Sequence, residues 1–245
     1  MVLPLKRDNL RKRLARTLFG SIVKGEFKPG DRIVEGSLAA QLGVAQSSLR
    51  EALQELEHQG LVTKYDNRGT FVTVIAEEEI DQLYAVRKQL EPFAASLVRE
   101  RITPEDSEKL SELLEKMRQA NDRRDLVELA HADLEFHEMI WHLSGNRWLE
   151  RALRLVGPPL LALDYVGLYG APTYDFERAY RQHESLLATL NSGSGERAKK
   201  IFEETLEVFR LQDIENLSAL KSTQAPARRA SHLKSAPAKR QKSRA

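Results

Sequence analysis

Asp133 and His137 stand one helical turn apart in the stretch LVELAHADLEFHEMIWHL. Successive helical residues advance by about 100°, which gathers Leu129, Ala130, Leu134, Phe136, Ile140, Trp141 and Leu143 on one arc, with Asp133 and His137 in its middle. His131, His142, Glu128, Glu135 and Glu138 fall on the opposite side. His183 sits in the same way inside the stripe Phe176, Ala179, Tyr180, Leu187 and Leu190. Arg87 and Glu91 lie within Ile80, Leu83, Tyr84, Leu90, Ala94 and Val98. Five ionisable groups therefore point into one interior. A lone buried charge is costly, so these groups must satisfy one another, a metal or a ligand. Two arrangements do so. Asp133 can bond His137 while Arg87 pairs with Glu91, or Asp133, His137 and His183 can ligate a divalent cation such as zinc, nickel or manganese.

Spacing tests the enzyme classes. HEMIWH resembles a zinc-protease motif, but that motif needs histidines four residues apart, whereas His137 and His142 are five apart and point in different directions. The chain has no G-x-S-x-G elbow, no glycine-rich phosphate loop and no adjacent His-Asp pair. A metal-dependent hydrolase built on Asp133, His137 and His183 is the catalytic alternative to a binding protein.

These side chains need helices to hold them, and residues 76–220 show only helical periods. Breaks at 103–104, 121–125, 144–146, 167–172 and 191–195 divide the segment into six helices at about 77–101, 104–121, 125–143, 147–167, 174–191 and 195–218. Short links between long amphipathic helices predict an all-α antiparallel bundle, with Pro92 kinking its first helix.

Residues 1–75 change period instead. Leu10, Leu14, Leu18 and Ile22 mark a helix ending near Gly25, and Leu38, Ala39 and Leu42 mark a short one stopped by Gly43. Leu49, Ala52, Leu53 and Leu56 mark a third, closed by Gly60. Val62–Tyr65, a turn at 66–69 and Thr70–Val74 read as a hairpin. This order predicts a winged helix-turn-helix whose third helix enters the major groove. Gln46, Ser47, Ser48 and Arg50 at its start, with Arg68 and Gly69 in the wing, are the candidate DNA contacts. Ser48-Leu49-Arg50-Glu51 also fits a capping box, which would give Ser48 a purely local role.

Charge follows this division. Residues 1–75 carry 12 Lys and Arg against 8 Asp and Glu, 76–220 carry 18 against 28, and 221–245 carry 8 against none. Nucleic acid therefore suits the ends of the chain and not its middle. Residues 221–245 lack an apolar period and read as a disordered basic tail. A scaffold that binds DNA without sequence preference through this tail is a further alternative. The 245 residues include no cysteine, excluding disulfides and thiolate metal sites. With no apolar run long enough to span a membrane and no export signal at its start, the chain is expected to be soluble and cytoplasmic, with no membrane partner.

From Ile22 to Val72, VKGEFKPGDRIVEGSLAAQLGV, SLREALQELEHQGLV and RGTFV resemble the GntR family of bacterial transcription regulators. Residues 77–218, through VRKQLEPFAASL, DLEFHEMIWHLSGN and HESLLATL, resemble the helical FCD effector domain of its FadR-type branch. The resemblance implies a homodimeric, operator-binding regulator, more a repressor than an activator, that answers a small carboxylate effector. It implies metal ligation by Asp133, His137 and His183, and puts Thr205 where many members have a fourth, histidine ligand. Arg87 matches the branch's inward arginine, and Asn146 a further effector residue whose local role would be to end a helix. Ala45, Gln46 and Ser48 depart from the family's usual Ser/Thr-Arg-Pro pattern, and Gly36 replaces an arginine that reaches DNA in some relatives. Glutamine suits adenine where arginine suits guanine, so the operator is expected to differ from the usual half-site. Residues 76–82 would carry the coupling between the domains.

Overall fold

The computed structural model describes residues 7–168 and 176–232. Helix α1 (Arg7–Val23), strand β1 (Arg32–Ile33), helices α2 (Glu35–Leu42) and α3 (Gln46–His58), and strands β2 (Val62–Tyr65) and β3 (Gly69–Val72) form the winged helix-turn-helix. Gly43, at φ 65°, closes α2 and starts the tight turn into α3, a backbone conformation that costs glycine little. The wing is a three-stranded antiparallel sheet in the order β1-β3-β2, with Arg32 opposite Phe71 and Tyr65 opposite Gly69. β1 was not expected: two residues after a Pro-Gly turn are too few to show a period.

Six helices follow: α4 (Glu77–Arg101), α5 (Pro104–Arg123), α6 (Leu126–Leu143), α7 (Arg147–Leu168), α8 (Phe176–Asn191) and α9 (Gly195–His232). Their starts are written locally. Thr103 and Asp106 cap α5 reciprocally, Asp125 accepts from Glu128 N at the start of α6, and Asn146 Oδ1 accepts from Trp148 N and Leu149 N at the start of α7. α4 runs through Pro92 as a single helix, packed along α9, α7 and α6. Trp141 fits against Gly157 of α7, where an added Cβ would lie 2.4 Å from its ring.

The tail departs from expectation: α9 continues twelve residues past the predicted boundary at 220, to His232. Extending a formed helix needs no new nucleus, and the Lys, Gln, Ala and Arg residues there are good helix formers, set against Pro226, which removes one backbone donor. Residues 233–245 lie outside the described residues, as does most of the predicted break at 167–172.

The two domains share a hydrophobic core, with residues of α1 and α3 in one cluster with those of α5, α6 and α8. His131, expected on the polar side of α6, is buried there because α1 covers that side and sets the Phe19 ring against it, tilted, with centroids 4.7 Å apart.

Candidate metal centre and DNA-reading face

α6 and α8 bring the three predicted ligands together in the effector-domain interior. His183 Nε2 lies 2.9 Å from Asp133 Oδ1 and 3.2 Å from His137 Nε2, and His137 Nε2 lies 3.4 Å from Asp133 Oδ1. All three side chains are buried. A cation bonded at about 2.1 Å spaces adjacent ligands about 3.0 Å apart in an octahedron and about 3.4 Å in a tetrahedron. The observed triangle fits both geometries.

Protonation suits ligation as well. Burial alone would raise the Asp133 carboxyl, but charge and a hydrogen bond from His183, with further help from His137 and Tyr165, hold it down at about 2. Burial lowers His137 to about 4, so its ring is neutral near pH 7. Tyr165 Oη on α7 donates to Asp133 Oδ2 at 2.6 Å and fixes the carboxylate's orientation. Tyr165 was not among the residues predicted from sequence. The signal for it was a tyrosine in a largely apolar helix, whose hydroxyl needs a partner when buried.

Behind the triangle, Arg87 and Glu91 are both 1 % exposed, and Arg87 Nε donates to Glu91 Oε1 at 2.6 Å. Burial opposes the guanidinium charge, but Glu91 outweighs it, with Tyr84 and Asp213 adding to the effect, and Arg87 is held more firmly protonated than usual. The guanidinium stands over the Tyr84 ring, and Tyr84 Oη donates to Asp213 Oδ2 of α9 at 2.7 Å. Among the described residues Arg87 Nη2 and His137 Nδ1 have no hydrogen-bond partner. Glu91 Oε2 lies 3.9 Å from that Nδ1, so Glu91 stands between the cation and the ligand ring.

Two predicted effector residues, Thr205 and Asn146, make local hydrogen bonds. Thr205 Oγ1 donates to Ile201 O of its own helix, and the residue lines an open groove between α8 and α9 with Arg181, Ser185 and Val208. On α9, Ala198, Phe202, Leu206 and Asp213 are buried, and Phe209 is partly so. Phe209 is the α9 side chain beside His183, with ring centroids 6.0 Å apart. Asn146 is the N-cap of α7, while Gly145 at φ 66° makes the left-handed turn that ends α6.

On the winged domain, Gln46, Ser47 and Ser48 form the first turn of α3. Gln46 and Ser47 are exposed, and Ser48 is partly buried. The N-cap is Ala45, which makes no side-chain cap, so the capping box centred on Ser48 does not form. The first backbone N–H groups of α3 are thereby left to solvent or to a nucleic-acid oxygen. The Arg50 side chain is 61 % exposed, and its Nε donates to Glu35 Oε2 of α2 at 2.6 Å. Arg68 is exposed at the wing tip, where Gly69 has φ 101°. An added Cβ on Gly69 would lie 3.2 Å from Arg32 Nε, so exposed Arg32 of β1 lies along the wing. Arg32 was missed together with its strand. Gly36, in the first turn of α2, faces open space.

Comparison with known proteins agrees with both halves. Residues 10–72 match the model of bacterial regulatory proteins, gntR family, and residues 82–208 match the FCD domain. The HTH-type transcriptional regulator YdhC of Bacillus subtilis is 32% identical over 184 residues, 73% of this chain and 80% of its own. A transcriptional regulator GntR structure from Rhodococcus sp. RHA1 superposes with a TM-score of 0.64 at 25% identity, covering 84% of this chain and 97% of that one. The structure of McbR/YncC from E. coli superposes with a TM-score of 0.63 at 26% identity, covering 90% and 100%. The hydrolase and scaffold alternatives give way to a non-enzymatic regulator. The chain belongs to the gntR family of bacterial regulatory proteins, in the FadR-type branch, and is a DNA-binding transcription regulator with an FCD effector domain.

Proposed function

We propose that the protein is a cytoplasmic homodimer that represses transcription by occupying an operator, and that a small carboxylate acid held by Arg87 beside a divalent cation alters that occupancy. The observation that carries this reading is the buried Asp133, His137 and His183 triangle with the Arg87 guanidinium behind it. A bound cation supplies a positive centre with open coordination positions that carboxylate oxygens can take. Asp133, His137 and His183 would hold it, Tyr165 would orient Asp133, and Arg87 would pair with the acid's carboxylate. With three ligands among the described residues, more of the coordination sphere would be left to the acid.

Exposed Val86 and Phe93 of α4 and Trp148 and Leu155 of α7, helices that pack together, are large apolar side chains suited to a second copy of the chain. Among the described residues no helix is long and apolar enough to cross a membrane, in keeping with a site of action on DNA. On the reading heads, Gln46, Ser47, Ser48 and Arg50 would contact the major groove, and Arg68 and Gly69, with Arg32, the neighbouring backbone. Gln46 favours an adenine-containing half-site.

The test is operator selection from random duplexes, followed by titration of the recovered operator with and without zinc and a panel of hydroxy- and dicarboxylic acids. Acid-dependent loss of operator affinity is the expected result. Affinity indifferent to every acid, with and without metal, would overturn the effector assignment.

A further inference from the structure

Helix α6 has two working faces, interleaved within seven residues. Asp133 and His137 face inward, and His131 and Glu135 face outward, because residues two apart on a helix point about 200° from one another. The outward pair meets α1 of the winged domain. Arg16 Nη1 donates to Glu135 Oε1 at 2.8 Å, and Arg16 Nη2 donates to Glu128 Oε2 at 3.0 Å, one guanidinium spanning two carboxylates that lie two turns apart on α6. Phe19 covers His131, and a Cβ on Gly20 would lie 3.0 Å from Val127 Cγ1, so the two helices approach closely. The contact is narrow: a cleft of about 380 Å³ lined by Lys12, Gln59, Leu134 and Glu138 flanks it on one side, and one of about 430 Å³ lined by Arg13, Lys24 and Val127 on the other.

The recognition helix is seated on the same platform. Gly60, just past the end of α3, lies so near α7 that an added Cβ would sit 2.6 Å from Pro159 Cγ. Glu55 of α3 and Gln59 at its end line the same cleft beside Arg16 as Glu135 and Glu138 of α6.

We infer that α6 itself, clasped to α1 by Arg16, transmits the state of the Asp133, His137 and His183 centre to the DNA-reading head. This deepens the proposed function and rests on its metal centre. The route differs from the one expected through residues 76–82. Whatever draws Asp133 and His137 toward His183 of α8 shifts or stiffens α6, and Glu128, His131 and Glu135 move with the same helix. α1 follows through Arg16 and Phe19, and α3 packs on α1. The structure thus supplies a contiguous rigid element whose opposite faces touch the two sites.

Hydrogen exchange of the full-length protein, followed by mass spectrometry, tests this route. Zinc alone is the first perturbation, and His183→Ala, on a residue that meets α6 and α9, is the second. Zinc should slow exchange in α6 and α8 and, by about 5-fold or more, in α1, as expected for a coupling of ordinary size. Arg16→Ala should keep the protection of α6 and α8 and lose that of α1. His183→Ala without metal should change α1 exchange in the wild-type background but not beside Arg16→Ala. Protection confined to α6 and α8, or an Arg16→Ala variant in which α1 still responds fully, would overturn the inference. If zinc changes exchange nowhere, the metal reading fails, and the His183→Ala arm alone decides: an unresponsive α1 overturns the inference.

Discussion

His183 Nε2 stands 2.9 Å from Asp133 Oδ1, although fifty residues separate them along the chain. This contact ties α8 to α6 at the centre of the effector domain. It also brings an imidazole nitrogen and a carboxylate oxygen together in the buried interior, two donors of kinds that a divalent cation accepts.

Arg87 and Glu91 form a buried pair, so removing one partner leaves the other charge uncompensated. Arg87→Ala should cost about 3–5 kcal/mol in a urea melt and abolish the response to carboxylates. Arg87→Met combined with Glu91→Leu should recover much of the stability while remaining unresponsive. A fully responsive double variant in operator titrations would remove Arg87 from the effector site.

Arg50 is free to leave Glu35 for DNA because its side chain is mostly exposed. Arg50→Ala should weaken binding to the selected operator by roughly 10–100-fold, in the range of one lost bidentate base contact. Its zinc content should be unchanged. Unaltered operator affinity in a gel-shift titration would contradict the assigned role.

Acid should destabilise the metal-free protein in a defined window. Burial holds both His131 and His137 at about 4, below their ordinary 6.5. Between those values the unfolded chain takes up protons that the folded chain refuses, so stability is full above about pH 6.5 and declines toward pH 4. Across that interval each histidine contributes a slope of roughly 1.4 kcal/mol per pH unit. Asp133 extends the loss from 3.8 to about 2. His131→Phe should make the decline between pH 6.5 and 4 shallower in thermal melts; an identical slope would show that His131 contributes nothing to it.

Gly157 lets the Trp141 ring lie against α7. Gly157→Ala puts a methyl 2.4 Å from that ring and should lower stability by about 1–3 kcal/mol through overpacking, more than the helix propensity of alanine returns. Denaturant melts showing equal or greater stability would mean that α7 yields easily at this point.

Much of this architecture is legible in the sequence because long helices advertise themselves through period. The boundaries of α4, α6 and α7 and the burial of Arg87, Glu91, Asp133, His137 and His183 all follow from apolar stripes interrupted by polar residues. What escaped depended on contacts between elements. β1 exists only because β3 lies beside it, and His131 is buried only because α1 crosses α6. Thr205 shares an apolar arc with Ala198, Ile201 and Val208; Ala198 is buried, Ile201, Thr205 and Val208 line the groove against α8, and Phe209 lies beside His183. A single helix's period cannot say which of two apolar faces meets the centre.

The most direct test of the central claim is the metal content of tag-free protein, purified without chelator and measured by elemental mass spectrometry beside the Asp133→Ala/His137→Ala variant. Near-stoichiometric zinc, nickel or manganese in the wild type and none in the variant is the predicted result. A wild-type protein that takes up none of the three ions even after incubation with each would contradict the metal centre and leave Arg87 and its hydrogen-bonding neighbours as the whole of the effector site.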